Sequence, residues 1–138
     1  MDLLGLKNLG IIQNTLDNIF KNNKKINLNH INLNDSRVLK MFALGYTTGI
    51  FQFESPGMNR ALRKIKPSSF EDLVAINALF RPGPMEQIET FSKRKNGLEK
   101  ITYYHESLKD ILSDTYGVIV YQEQVINILV KMAKFTYA

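Results

Sequence analysis

Apolar residues recur along most of this chain at steps of three and four, and proline and glycine interrupt the pattern at a few points. That combination restricts the fold more than any other feature, because it demands short helices joined by stiff or tight turns. Leu6, Leu9, Ile12, Leu16, Ile19 and Phe20 mark one buried face of a first helix, predicted from about Leu4 to Asn22. The asparagine-rich run that follows, to Asn34, reads as a surface loop. Asparagine competes for helical backbone bonds and tolerates left-handed conformations. Asn34 or Asp35 caps the next helix, with Val38, Leu39 and Phe42 inward and Gly45 as its stop. Ser55-Pro56 starts another, which Pro67 ends. Ser68-Ser69-Phe70-Glu71 has capping-box spacing and opens a helix carrying Leu73, Val74, Ile76 and Leu79. Arg81-Pro-Gly-Pro84 forces a stiff turn. Met85 to Lys95, Leu108 to Leu112 and Gln122 to Lys134 complete the helices, the last with Val125, Ile128, Leu129 and Met132 on one side.

Two segments depart from the helical period. Gly49-Ile-Phe-Gln-Phe53 alternates and carries β-favouring residues, and Val118-Ile-Val120 is a β-branched run. Both read as short strands able to pair. The expected fold class is therefore mainly α with a short two-stranded β element. No repeat is visible, and both ends look cut from something longer.

Composition narrows the function. There is no cysteine among the 138 residues, which excludes a disulfide scaffold, a thiolate zinc site and a cysteine nucleophile. His30 and His105 lie too far apart for a local zinc motif. No apolar run approaches the roughly 18 residues that span a membrane, and no basic-then-apolar leader opens the chain. Lysine and arginine number 18 against 13 acidic residues, a formal charge of +5. The expectation is a soluble, cytoplasmic, mildly basic domain suited to a polyanionic partner.

Several residues could carry chemistry. Asp2, at the edge of an apolar stretch, has the oxygen donors that magnesium prefers, or is an acidic residue favoured by a helix N-terminus. Arg60, Arg63 and Lys64 share one side of a helix, with Lys66 at its end. They form either a phosphate-holding stripe or a solvated face. Ser55-Pro-Gly57 exposes free amides at the start of that helix. Arg81, on its rigid turn, presents a planar fork of donors to phosphate or base, or is simply exposed on a connector. Gln122 and Gln124 can bond a base or a sugar, or serve as ordinary residues of a first helical turn. Lys93-Arg94-Lys95 reads as mostly solvent-facing, and His105 as a local cap.

Five strings occur in order: Met1-Asp-Leu-Leu-Gly-Leu-Lys-Asn-Leu9, Gly49-Ile-Phe-Gln-Phe-Glu-Ser-Pro-Gly-Met58, Ser69-Phe-Glu-Asp-Leu73, Ala78-Leu-Phe-Arg-Pro-Gly-Pro84 and Thr115-Tyr-Gly-Val-Ile-Val-Tyr-Gln-Glu-Gln-Val125. Together they resemble the C-family bacterial replicative DNA polymerases, the family of DNA polymerase III alpha subunits, across essentially the whole chain. The resemblance implies that residues 1–8 end the palm and that residues 9–138 are the proximal fingers. It implies that Asp2 is the third catalytic aspartate, a ligand of magnesium (Mg2+) in the intact enzyme. Leu3 stands where the family has an aromatic residue, an apolar exchange that leaves this role in place. The family's other two aspartates, its triphosphate-handling arginine pair, its thumb and its clamp-binding segment have no counterpart here. The implied activity is template-directed DNA synthesis, with primer–template DNA and a deoxynucleoside triphosphate as ligands and other replisome subunits as partners. The 138-residue chain alone is expected to be inactive. The competing readings are a non-catalytic basic DNA-binding or interaction module and a helical protein-binding domain.

Overall fold

A computed structural model of the chain describes residues 6–136. The chain divides into two compact units, one ending at Leu33 and the other starting at Asn34. In the first, helix α1 runs over Lys7–Lys21 and is followed by a 3-10 turn over Leu28–His30, capped by the Asn27 side chain. No residue of α1 is buried. The expected buried face is therefore corrected: Leu16 and Ile19 are half-buried, while Leu6, Leu9, Ile12 and Phe20 are exposed. Periodicity identifies an amphipathic helix but not whether anything covers its apolar side.

The second unit holds the core. Its helices are α2 (Ser36–Ala43), α3 (Pro56–Ile65), α4 (Phe70–Leu79), α5 (Ile88–Lys95), α6 (Lys109–Leu112) and α7 (Gln122–Ala133). Helix α3 is central and packs against α2, α4 and α5. Met58, Ala61, Leu62 and Ile65 fall on one face of α3 and are buried among Leu39, Phe42, Ile76, Leu79 and Phe91. The polar side of α3 faces outward as a direct consequence.

Caps place the helix starts. Asp35 accepts from the Arg37 amide at 2.8 Å, and Ser55 from the Met58 amide at 3.2 Å with Pro56 at the first helical position. The capping box of α4 pairs Ser69 with Asp72, one residue later than the spacing first suggests. Val38 and Val74, expected inside, are exposed. In α7 only Gln124 is buried; Val125, Leu129 and Met132 are exposed.

The described residues contain no strand, so the expected two-stranded element is absent. Residues 49–53 form consecutive tight turns, with Ile50 N–H bonded to the Thr47 carbonyl at 3.0 Å and Phe53 N–H to that of Ile50 at 2.9 Å. Gln52 adopts a left-handed φ of 66°, which reverses the chain. Ile50 and Phe53 pack against the core from a turn instead, Phe53 meeting Phe42 edge-on at 5.3 Å, while Phe51 is exposed. Residues 118–120 have no regular secondary structure and pair with no neighbouring strand. Two of their backbone groups go to side chains: the Val118 carbonyl accepts from the Thr115 hydroxyl at 2.6 Å, and the Val120 amide donates to Gln124 Oε1 at 2.8 Å. Buried backbone groups need partners, and here side chains supply what a ladder would have supplied.

Candidate nucleic-acid interface

With one face of α3 committed to the core, its basic residues project from the others. Arg60 and Lys64, one turn apart, line an open groove of about 340 Å³, with Phe80 and Ile88 on its apolar side and Glu86 and Glu89 on its acidic side. Arg63 leans toward the end of α2. A Cβ placed on Gly45 would lie 2.7 Å from Arg63 Nη1, and Gly45 itself has a φ of 72°. The left-handed backbone is what favours glycine there, since Arg63 could swing aside. Lys66 is exposed and ends α3 in a left-handed conformation. The sequence stripe is thus spread over both flanks of the helix rather than gathered at one spot.

Arg81 is exposed on its turn, and its Nε donates to the Ala78 carbonyl at 2.8 Å. That bond steadies the guanidinium and leaves its Nη atoms for other acceptors. The turn closes through the Met85 amide on the Arg81 carbonyl at 3.1 Å, with Gly83 at a φ of 91°. Few residues other than glycine adopt that backbone.

The ion pairs separate occupied cations from available ones. Lys64 pairs with Glu89, which also meets Lys93 at 3.4 Å. The bond from Lys64, helped by Lys93, holds the Glu89 carboxyl below its ordinary range. Arg60, Arg63, Lys66 and Arg81 have no carboxylate partner among the described residues. An unpaired, exposed guanidinium keeps its whole charge for a phosphate.

The run Lys93-Arg94-Lys95 corrects the sequence reading, since most of its charge is spent inside the domain. The Lys95 side chain is 7% exposed and pairs with the buried Asp72 at 3.0 Å. Arg94 binds Glu99 at 2.9 Å and the Gly117 carbonyl at 3.3 Å. Asp72 also accepts from the Ser68 and Ser69 amides at 2.8 and 3.1 Å and from the Tyr116 hydroxyl at 3.1 Å. Burial alone pushes the Asp72 carboxyl up, but the Ser68 amide and Lys95 outweigh it and hold the group below its ordinary range. Burial, then the neighbouring Asp72 charge, pushes the Tyr116 phenol up to about 12. Sequence reasoning missed this knot. The capping box read at Ser68 and Glu71 lies one residue away, so the sequence reading did not mark Asp72 as a residue held by backbone amides.

Gln122 is exposed in the first turn of α7. Gln124 is 7% exposed, and its amide is fully used: Oε1 accepts from Val120 and Tyr121, and Nε2 donates to the Ile111 carbonyl and the Thr115 hydroxyl. A nucleotide could reach it only by displacing these bonds. His105 caps a 3-10 turn by accepting from the Ser107 amide at 3.1 Å. Asp2 lies outside the described residues, and those residues contain no group of three or more His, Asp or Glu side chains able to hold a metal.

The model of the bacterial DNA polymerase III alpha subunit finger domain matches residues 8–138. The chain belongs to that family. Curated relatives named DNA polymerase III subunit alpha agree. The protein of Ureaplasma parvum serovar 3 is 52% identical over 139 aligned residues, covering all of this chain and 14% of the relative. That of Bacillus subtilis strain 168 is 51% identical, covering 99% of this chain and 12% of the relative. A Staphylococcus aureus relative is 45% identical over 138 residues. The chain thus spans about an eighth of the length of the relatives it matches.

Proposed function

We propose that this chain is the finger portion of a replicative DNA-directed DNA polymerase of the DNA polymerase III alpha type, acting in the cytoplasm on primer–template DNA with deoxynucleoside triphosphates and other replisome subunits. The observation that carries the reading is the finger-domain match over residues 8–138, joined by four unpaired cations along α3 and the Arg81 turn. In the intact enzyme the primer 3′-hydroxyl attacks the α-phosphate of the incoming nucleotide, and pyrophosphate leaves. Arg60, Arg63, Lys66 and Arg81 neutralise phosphate charge of the nucleic acid or nucleotide. Lys64 joins them only by leaving Glu89, and Gln122, exposed in the first turn of α7, offers a neutral donor and acceptor.

Residues 1–8 form the end of the palm in this reading, and residues 9–138 the proximal fingers. Asp2 supplies one carboxylate to magnesium, with its remaining ligands elsewhere in the intact enzyme. Carboxylate oxygen suits that hard ion, which when bound stabilises the attacking and leaving oxygens. A single carboxylate does not assemble such a site, so the 138-residue chain alone extends no primer.

The test uses the intact polymerase. Asp2→Ala is expected to abolish magnesium-dependent primer extension without changing the circular dichroism. Replacing Arg60, Arg63 and Lys66 by alanine together weakens DNA binding and lowers its salt dependence by about 0.9 log units per lost phosphate contact. Undiminished extension by Asp2→Ala would make that residue structural. An intact protein that binds primed DNA but never extends it would place the non-catalytic module first.

A further inference from the structure

Asn96-Gly97 is the one asparagine–glycine step in the sequence. Asparagine is a thermolabile residue, most of all before glycine, where no side chain shields the next amide nitrogen from its carboxamide. The step stands at the end of α5, where Asn96 closes the helix and Gly97 turns the chain at a φ of 71°. Both residues are exposed, and a Cβ on Gly97 would meet no atom within 4 Å. Nothing crowds the nitrogen of Gly97.

The Asn96 side chain is nonetheless occupied. Its Nδ2 donates to the Ser92 carbonyl at 2.8 Å and lies 3.3 Å from the Lys64 carbonyl and 3.5 Å from that of Ile65. The hydroxyl of the buried Ser92 is 3.4 Å away and itself donates to the Lys64 carbonyl at 2.9 Å. All four neighbours are oxygens, so the surroundings fix which end of the amide points inward. The Lys64 and Ile65 carbonyls belong to the last turn of α3 and lack an intrahelical amide. Asn96 is thus a clasp between the C-terminal ends of α3 and α5.

We propose that Asn96 is a deamidation site gated by this clasp, and that the reaction is one-way for the fold. When the ends of α3 and α5 part, the Gly97 nitrogen attacks Asn96 Cγ. The new N–Cγ bond closes a succinimide, the Cγ–Nδ2 bond breaks, and ammonia leaves with the proton that Gly97 gave up. Water then opens the ring to aspartate or isoaspartate, and no other reactant is needed. While the clasp is closed the step is blocked twice. The carbonyls hold the carboxamide, and the Gly97 N–H is bonded to the Arg94 carbonyl at 3.2 Å.

The product no longer fits. A carboxylate there faces three carbonyls, and a hydroxyl whose proton is already given to Lys64, at the negative ends of two helices. The cations in the last turn of α5 bring no relief, because Lys93, Arg94 and Lys95 are paired with Glu89, Glu99 and Asp72. Each deamidation therefore records one opening and hinders the next closure. This inference does not depend on the polymerase reading.

The experiment incubates the intact protein at neutral pH, folded and in urea, and follows the peptide containing Asn96 by mass spectrometry. Deamidation is expected in urea and at least about tenfold slower in the folded protein. Ser92→Ala, which removes the hydroxyl from the clasp, is expected to speed the folded reaction and leave the urea reaction unchanged. Equal rates folded and unfolded overturn the gate, and an Asn96 that stays intact in urea overturns the site. The one-way step is read from melting temperatures. Asn96→Ala loses only the donor, whereas Asn96→Asp adds the repelled charge, so Asn96→Asp melts lower or fails to fold. An Asn96→Asp protein as stable as Asn96→Ala would show that a cation such as Lys66 swings over to pair the carboxylate, and would overturn that step.

Discussion

Truncating Gln124 to alanine tests how residues 118–121 are held. Gln124 Oε1 is the acceptor for two backbone amides, Val120 at 2.8 Å and Tyr121 at 3.0 Å, and Nε2 supplies the Ile111 carbonyl at 3.2 Å and the Thr115 hydroxyl at 2.8 Å. Alanine removes all four bonds at once. A buried donor left without a partner costs about 1–3 kcal/mol, and two amides are stranded here. The Thr115 hydroxyl loses less, because it still donates to the Val118 carbonyl. Partial entry of water to the half-buried Tyr121 amide lowers the sum, so the expected loss is about 3 kcal/mol. Urea unfolding of the chain, followed by circular dichroism, reads it directly. With a slope of about 1–3 kcal/mol per molar, the midpoint falls by about 1–3 M while the slope is unchanged. An unchanged midpoint would refute the reasoning. It would mean that the amides of 118–121 find other acceptors, as they would in a paired strand, and that Gln124 is free to face a ligand.

Two further outcomes follow from the Asp72 knot and from the loop beside it. Gly117→Ala is expected to destabilise the chain by about 1–3 kcal/mol in thermal unfolding. Its φ is 76°, and a Cβ there would lie 3.2 Å from the Thr102 carbonyl and 3.1 Å from Arg94 Nη1. The knot also gives stability two pH limits. The folded Asp72 carboxyl is lowered, so its contribution is present above its unfolded pKa of 3.8 and is lost as pH falls through the lower folded value. The folded Tyr116 phenol is raised from 10.0 to about 12, so its contribution is complete below pH 10 and disappears as pH rises through about 12. Denaturation midpoints against pH should show both limbs, with Asp72→Asn flattening the acid one and Tyr116→Phe the alkaline one.

The distribution of charge bears on how such a domain meets DNA. A count of +5 suggests a weak, diffuse attraction. The ion pairs reveal a sharper pattern: Glu89, Asp72 and Glu99 absorb the basic residues of 64 and 93–95, while Arg60, Arg63, Lys66 and Arg81 keep theirs. Cations already paired contribute little to counterion release, whereas unpaired ones contribute nearly a full unit each. Of these two groups it is therefore α3 and the Arg81 turn, and not the denser basic run at 93–95, that keep their charge for a phosphate.

Helix starts and stops were legible in the chain itself. Asp35 and Ser55-Pro56 sit at their caps because capping depends on atoms within three or four residues, and the cap of α4 falls one residue from its expected place. The stiff turn at Arg81-Pro-Gly-Pro84, where Gly83 takes a φ of 91°, was legible for the same local reason. In α3 the spacing did not foretell the split: Arg60, Arg63 and Lys64, expected on one side, are spread over both flanks once Met58, Ala61, Leu62 and Ile65 enter the core. What the tertiary structure alone decided were the partners of groups distant in sequence. Whether Val118-Ile-Val120 becomes a strand depends on what satisfies its amides, and Gln124 and Thr115 do so where a second strand was expected. Whether Lys95 is solvated depends on Asp72 lying beneath it, and whether the side of α7 bearing Val125 and Leu129 is covered depends on what packs there. Local sequence encodes short-range hydrogen bonding and periodicity; burial and charge pairing are set by chain segments that meet only after folding.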